Sequence, residues 1–296
     1  MNHGRIELER CTGCGTCALI CPDKLIEVDK SAKKAALINE HSTYCIACAQ
    51  CMAICPDKAI FINDFTYEKD LYPLEKPFPA VETVEAFFET RRSIRNFKDK
   101  PVEREKLEKI AEMISMAPMG FPPHSVCLTI VSEKKTIEEA LPYMIKFYEK
   151  AIFAVNNPLI RFFMKRSLTP EMFRTLKDHV VPISERGNRL WNEKKHDYIF
   201  RDAPAMILIH GERDAPCGTE NQIIALTYGL LAAHSLGLGA TAIGLIPPAV
   251  DKVPELRKLF KIPENHVPME ALIVGYPKVQ FKHRAIKRQL AGVNWL

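Results

Sequence analysis

Cys11-Thr12-Gly13-Cys14-Gly15-Thr16-Cys17-Ala18-Leu19-Ile20-Cys21-Pro22 is answered 34 residues later by Cys45-Ile46-Ala47-Cys48-Ala49-Gln50-Cys51-Met52-Ala53-Ile54-Cys55-Pro56. Both runs have the form C-x2-C-x2-C-x3-C-P. Two-residue gaps let one loop wrap three thiolates around a face of an iron–sulfur cubane. The fourth cysteine opens a segment that leads away, and in two-cluster chains of this spacing it ligates the other cluster. The spacing therefore predicts two [4Fe–4S] clusters. Cys11, Cys14, Cys17 and Cys55 are expected around one, and Cys45, Cys48, Cys51 and Cys21 around the other. The repeat runs past the ligands, since Cys21-Pro22-Asp23-Lys24-Leu25-Ile26 matches Cys55-Pro56-Asp57-Lys58-Ala59-Ile60. Small residues between the cysteines (Gly13, Gly15, Ala47, Ala49) leave backbone N–H groups free to approach sulfur, which tunes cluster potential.

Ten cysteines in all, eight of them within residues 11–55, could in a secreted chain suggest disulfides. The even spacing argues for metal instead. Structural zinc fits badly, because zinc sites use two C-x2-C pairs set far apart rather than three close cysteines followed by Cys-Pro. Residues 1–62 resemble bacterial two-cluster ferredoxins, which implies a ferredoxin-like domain over 1–64. The segment from Leu25 to Tyr44 is longer than a minimal connector and charged at Lys30, Lys33 and Lys34, and it reads as an exposed hairpin.

With 296 residues the chain has room for one large domain beside this small one. Residues 1–75 carry 8 Lys/Arg against 11 Asp/Glu, whereas the remainder carries 33 against 25. The basic remainder holds no run interleaved with aromatics and no nucleic-acid motif, so nucleic acid is excluded and a phosphate-bearing cofactor is reason enough for the excess. No apolar stretch approaches the roughly 18 residues that suggest a membrane span. The opening Met1-Asn2-His3-Gly4-Arg5 leads into charge, unlike a secretory signal, and the expected location is the cytoplasm.

Phe65 to Val81, with Pro73, Pro77 and Pro79, reads as a stiff linker, leaving 82–296 as the larger domain. There, Val84, Phe87, Phe88 and Arg91 share one helical face, and Leu107, Ile110, Ala111 and Ile114 form another apolar stripe ended by Pro118. Val126–Val131, Ala205–Ile209, Ala240–Leu245 and Glu270–Tyr276 read as strands. Thr219 is the expected N-cap and Gly237 the stop of a helix that is apolar nearly all round, hence central. The pattern predicts an α+β layered domain. Residues 133–200, helical with mixed aromatic and basic residues, read as an insertion that either covers an active site or merely decorates the fold.

Arg91-Arg92-Ser93-Ile94-Arg95-Asn96-Phe97 puts three arginines and a serine within five residues, an anion clamp suited to phosphate or to an electron-rich ring edge. A solvated basic patch is the plain alternative. Arg91 to Val102 resembles the opening signature of the nitroreductase family. Ala117-Pro118-Met119-Gly120-Phe121-Pro122-Pro123-His124-Ser125 resembles that family's A-P-S-G-x-N-x-Q-P-W loop, Leu236 to Gly244 its G-L-G-T-x-x-I-G segment, and Ala271 to Pro277 its last core strand. The resemblance implies an FMN-binding homodimer with the flavin at the subunit interface. Arg91, Arg92, Ser93 and Arg95 are expected at its phosphate and pyrimidine edge, and Pro118, Met119 and Gly120 at the flavin of the partner subunit. The backbone of Ala242, Ile243 and Gly244 is expected near N5, and Arg284, Lys287 and Arg288 at the phosphate. Pro122, His124 and Val126 depart from the family's Asn, Gln and Trp, so the acceptor need not be a simple nitroaromatic.

Gly237, Gly239 and Gly244 suggest a dinucleotide fingerprint only superficially, because they follow a helix and precede a strand. Cys127 reads as a core thiol, Cys217 as structural beside a helix start, and His210 and His234 as hydrogen-bonded core histidines. His124 and Tyr228 are the candidate proton donors; the flavin itself carries the chemistry. These parts point to electrons entering from ferredoxin, passing through two clusters to FMN, and reducing a small organic acceptor. NAD(P)H oxidation with electrons leaving through the clusters, or a non-catalytic electron carrier or redox sensor, fits the same sequence.

Overall fold

The structure, a computed structural model, describes residues 4–38, 45–62, 65–71, 73, 78–121, 125–283 and 290–296. The chain divides into two compact units, one formed mainly by Met1–Pro79 and the other by Ala80–Gly120 with His124–Leu296.

In the first unit the internal repeat is visible in the backbone. β1 (Gly4–Ile6) pairs antiparallel with β4 (Ile60–Ile62), Gly4 opposite Ile62, and β2 (Ile26–Asp29) pairs with β3 (Lys34–Leu37), Ile26 opposite Leu37. The latter is the hairpin read from the charged segment; Asp29 closes its turn by accepting from the amides of Ser31 and Ala32. Residues 39–44 of that segment lie outside the described residues. Two five-residue helices, α1 (Thr16–Ile20) and α2 (Gln50–Ile54), carry the third cysteine of each run and stop at the fourth. Left-handed residues recur at the same offset: Gly13 and Ala47 (φ 70° and 52°), Gly15 and Ala49 (79° and 55°), Lys24 and Lys58 (53° and 51°). Gly13 is also forced by space, since a Cβ there would lie 2.2 Å from the Lys33 carbonyl oxygen. Met52, Ile60, Ile62, Ile26 and Ala35 form the small core.

The predicted linker does not start at Phe65. The Phe65 amide donates to Ile62 O, buried Tyr67 donates its hydroxyl to Ile60 O at 2.8 Å, and Phe65 and Leu71 pack on the same core. An aromatic pair outweighs the extended bias of the prolines that follow.

The second unit is a helix–sheet–helix sandwich. Its elements are α3 (Val81–Thr90), α4 (Arg104–Ser115), β5 (Val126–Val131), α5 (Lys134–Asn156), α6 (Pro158–Ser167), α7 (Pro170–Thr175), a π-helical turn (Leu176–Val180), α8 (Val181–Lys194), β6 (Ala205–Glu212), α9 (Gly218–Ser235), β7 (Gly239–Ala242), α10 (Ile246–Lys252), α11 (Pro254–Leu259) and β8 (His266–Gly275). The sheet runs β5-β6-β8-β7, antiparallel throughout, with a bulge at Ile209/His210. Period-two alternation sends Met206 and Leu208 of β6 into a core with Met144, Tyr148 and Phe260, and Ala205, Ile207 and Ile209 into a second core with Ile110, Ala225 and Leu226. Buried on both faces, β6 reads as the continuous apolar run seen in the sequence. Among the described residues no helix is long and apolar enough to cross a membrane.

Several expectations need correction. α9 starts at Gly218 with Cys217 as N-cap, so Thr219 lies inside the first turn and its hydroxyl meets Met269 Sδ at 3.3 Å. The same helix is central but not enclosed: Ile223 is 47% exposed. On α3, Phe88 is 55% exposed, while Phe87 stacks on His234 with centroids 4.9 Å apart. β6 and β8 run longer than predicted and β7 shorter, ending before Ile243. The 133–200 segment is helical, yet α5 is no detached cover: Ile137, Leu141, Met144 and Tyr148 fill the first sheet core. Cys127 is exposed because β5 is an edge strand whose faces are only partly covered.

Candidate functional site

The eight clustered cysteines converge on two cavities. One is lined by Cys11, Cys14, Cys17 and Cys55, the other by Cys45, Cys48, Cys51 and Cys21. Each takes three sulfurs from one run and the fourth from the other, because α1 and α2 lie side by side and carry their last cysteines across. Backbone amides serve the sulfurs in matched fashion: Leu25 N reaches Cys21 Sγ at 3.4 Å and Ala59 N reaches Cys55 Sγ at 3.3 Å, while Ala35 N reaches Cys11 Sγ at 3.3 Å. Lys34 ties the first loop down by donating to the carbonyls of Leu8 and Cys11, both at 2.6 Å. Burial, then the neighbouring Cys48, Cys45 and Cys21, push the Cys51 thiol up to about 12. Among the described residues, no lysine or arginine lines either cavity. Four thiols around an apolar void with no cationic side chain suit a cationic metal centre, so the residues fit two iron–sulfur clusters.

In the second unit the arginine run leaves α3 and crosses the start of β7. Ser93 forms a parallel bridge to Ala240, and Ile94 N donates to Ala240 O at 3.1 Å. Gly239 allows that approach, since a Cβ there would lie 2.7 Å from the Ile94 side chain. The result is a cleft of about 470 Å³ lined by Arg91, Arg92, His234, Ala240, Phe281 and Lys282, with the Arg92 guanidinium 4.6 Å from the Phe281 ring centroid. Thr90 Oγ1 and His234 Nε2, 3.0 Å apart, brace its wall.

Arg95 is exposed and does not line this cleft. Its charge acts on Arg201, whose pKa is lowered first by burial and then by Arg95. Arg201 stands at φ 59° with its Nε buried and without a hydrogen-bond partner. Asp197, the nearby carboxylate, is engaged with the amides of Ile199, Phe200 and Asp202. A buried arginine with an orphaned donor, under the charge of a second arginine, fits an anionic group, as a phosphate-bearing flavin requires. Arg201 carried no sequence signal: it stands in a run of mixed residues far from the arginine motif.

Ala242, the last residue of β7, and Gly244 just past it are exposed, with Ile243 buried between them and its amide on Ala271 O at 2.9 Å. Pro118 and Gly120 are exposed and Met119 is half-buried. None of them lines the cleft. Tyr228 packs half-buried against the α4–α9 core, away from the cleft lining. His124, Arg284, Lys287 and Arg288 lie outside the described residues.

Asn221 is a second residue that sequence reasoning missed. Fully buried on α9, it accepts from Gly120 N at 2.6 Å and donates Nδ2–H to Gly120 O (3.2 Å) and Ser125 Oγ (2.8 Å). It ties Gly120 to Ser125, while Cys217 packs against Gly120, where an added Cβ would lie 2.9 Å from its sulfur. A polar residue in an apolar helix was the available signal, and only the fold supplies its partner.

Two units with these sites define a redox protein with a metal-cluster segment joined to a layered α+β domain. Residues 88–276 match the nitroreductase family, and residues 10–67 match the 4Fe-4S dicluster domain. The chain therefore belongs to the nitroreductase family. It is 26% identical over 212 residues to the FMN reductase (NAD(P)H) of Bacillus subtilis strain 168, covering 69% of this chain and 72% of that protein. Among solved structures, a nitroreductase with bound FMN from Bacteroides fragilis aligns with TM-score 0.52 at 19% identity, over 73% of this chain and 98% of that one. An FMN-bound nitroreductase from Desulfitobacterium hafniense aligns with TM-score 0.51 at 20% identity, over 73% and 100%. Such identities establish the shared fold.

Proposed function

We propose that this chain is an FMN-dependent oxidoreductase that moves electrons between its own pair of [4Fe–4S] clusters and the flavin, and reduces a small organic acceptor such as a nitro, quinone or activated unsaturated compound. The observation that carries the reading is the partition of eight cysteines into two cavities of four, within the same chain as the Arg91–Arg92 cleft. The cofactors would supply one- and two-electron chemistry; the protein supplies position and charge. Cys11, Cys14, Cys17 and Cys55 hold one cluster and Cys45, Cys48, Cys51 and Cys21 the other. Arg91, Arg92, Ser93 and Arg95, with Arg201, hold the anionic and electron-rich edges of FMN; Arg284, Lys287 and Arg288 join them at the phosphate. Ala242, Ile243 and Gly244 present backbone to the ring. Pro118, Met119 and Gly120, fixed by Asn221, serve the flavin of a second copy in a homodimer, a reading supported by the exposed apolar Ile223 on α9 and Met116 after α4. His124 and Tyr228 remain proposed proton donors. The first domain runs past residue 64 through at least Leu71, the larger one spans 82–296 after a short connecting segment, and a cluster-bearing chain of this kind belongs in the reducing cytoplasm.

A second reading reverses the flow: NAD(P)H reduces the flavin, and electrons leave through the clusters to a partner protein. The name of the Bacillus subtilis relative favours an NAD(P)H donor. Anaerobic stopped-flow mixing with NADH, NADPH and reduced ferredoxin separates the two through flavin absorbance near about 450 nm. Rapid bleaching by ferredoxin alone supports inward flow; rapid bleaching by NAD(P)H overturns it.

A further inference from the structure

On the α5–α10 face of the sheet, at the end where β5, β6 and β8 meet the bulge, three metal-binding side chains from three adjacent strands point together. Cys127 lies opposite His210 across β5 and β6, and His266 reaches them from β8. One donor atom from each, all within 4.8 Å of one another, forms the group, and His210 Nδ1 and His266 Nδ1 are 2.8 Å apart. We propose that Cys127, His210 and His266 bind a single zinc ion, with the fourth position open to solvent beside the exposed Cys127.

The tautomer of His210 supports this. Thr129 Oγ1 lies 3.2 Å from both Phe260 O and His210 Nε2. A carbonyl only accepts, so the single hydroxyl hydrogen goes to Phe260, and the Thr129 oxygen receives Nε2–H. Nδ1 of His210 therefore carries a bare lone pair aimed at the gap, and Thr129 plays the orienting part that a carbonyl or carboxylate plays behind most ligating histidines. The bulge at Ile209/His210 re-aims this residue. Arg257 Nη2 donates to His266 O at 3.0 Å and pins the backbone on the other side, its own charge met by Asp251 at 3.3 Å. In a tetrahedral zinc site the two nitrogens stand about 3.3 Å apart, given Zn–N bonds of roughly 2.05 Å, so a shift of about half an ångström turns the metal-free contact into a ligand pair. One thiolate and two imidazoles suit zinc better than the hard cations. The group shares no residue with the Arg91–Arg92 cleft or with the two cysteine cavities.

The test uses the full-length, cluster-loaded protein titrated with zinc alone, followed by zinc-edge X-ray absorption, which iron does not obscure. One equivalent of zinc should be retained with one sulfur near about 2.3 Å and two imidazole nitrogens near about 2.0 Å. Cys127→Ser should remove the sulfur shell, and Thr129→Val should weaken binding about 10- to 100-fold, both with iron content unchanged. Zinc bound by four sulfurs, which marks a cluster site, overturns the proposal, as does affinity that Cys127→Ser leaves unaltered or failure to retain zinc at one equivalent. Cys127 is exposed, so its serine variant keeps the fold and decides the matter even if a His266→Gln variant does not.

Discussion

Asn221 shows how much one buried amide can govern. Its three hydrogen bonds hold Gly120 and Ser125, residues about a hundred positions away in sequence. Asn221→Ala strands the buried Ser125 hydroxyl and frees the Gly120 amide, and should cost about 1–3 kcal/mol by denaturant unfolding. Its second expected effect is weaker flavin retention, read as FMN fluorescence released on dilution, because the loop proposed to serve the flavin loses its clamp. Gly13 and Ala49 make a contrasting pair. Gly13→Ala meets the Lys33 carbonyl at φ +70° and should cost the first cavity its iron–sulfur absorbance, whereas Ala49→Gly relieves a left-handed alanine and should add about 1 kcal/mol of stability at most, read as a higher unfolding temperature. The cysteines were legible because ligand spacing is a local property. Asn221, Arg201 and the outward turn of Cys127 were not, since each depends on a partner or an edge that only the folded sheet creates.

Among the elements, α9 was legible at its end and misread at its start. Gly237, at φ +71°, is the left-handed residue of a paired C-terminal cap: its amide meets His234 O at 3.0 Å, and Leu238 N meets Ala233 O at 2.9 Å. Glycine leaves that mark in any sequence, while Thr219 offered a cap that the earlier start at Gly218 made unnecessary. Gly237→Ala meets nothing within 4 Å and should cost only the backbone strain, about 1 kcal/mol. Gly239→Ala instead strikes Ile94 at 2.7 Å and displaces the segment after α3 that bears Arg91 and Arg92. It should lower FMN affinity far more than Gly237→Ala, as titration of the apoprotein would measure. The role of α5 escaped sequence reading because its apolar stripe is as fit to cover a pocket as to fill a core; the sheet it packs on decides.

For the whole molecule, the shared cavities make one substitution reach across the repeat. Cys21→Ser should leave about half the iron and spare the cavity of Cys11, Cys14 and Cys17, although Cys21 follows them in sequence. Equal loss from both cavities, seen by Mössbauer spectroscopy, would contradict the proposed ligand sets. An Ile223→Glu variant puts charge on the outward face of α9 and should shift the mass measured by light scattering from dimer to monomer. The two-part layout was legible from composition and spacing alone. Where the first part ended was not, because Tyr67 and Phe65 join its core from within a stretch whose prolines read as connector.

The exchange of fourth cysteines also sets a timetable for biosynthesis. On the proposed ligand sets, the cavity opened at Cys11 is not complete until Cys55 has left the ribosome, and the paired strands β1 and β4 close only a few residues later still. The first run of cysteines, made before the second, must wait open for its last ligand. Iron delivered early meets three thiols instead of four, so cofactor insertion is expected to follow translation of this segment rather than accompany it.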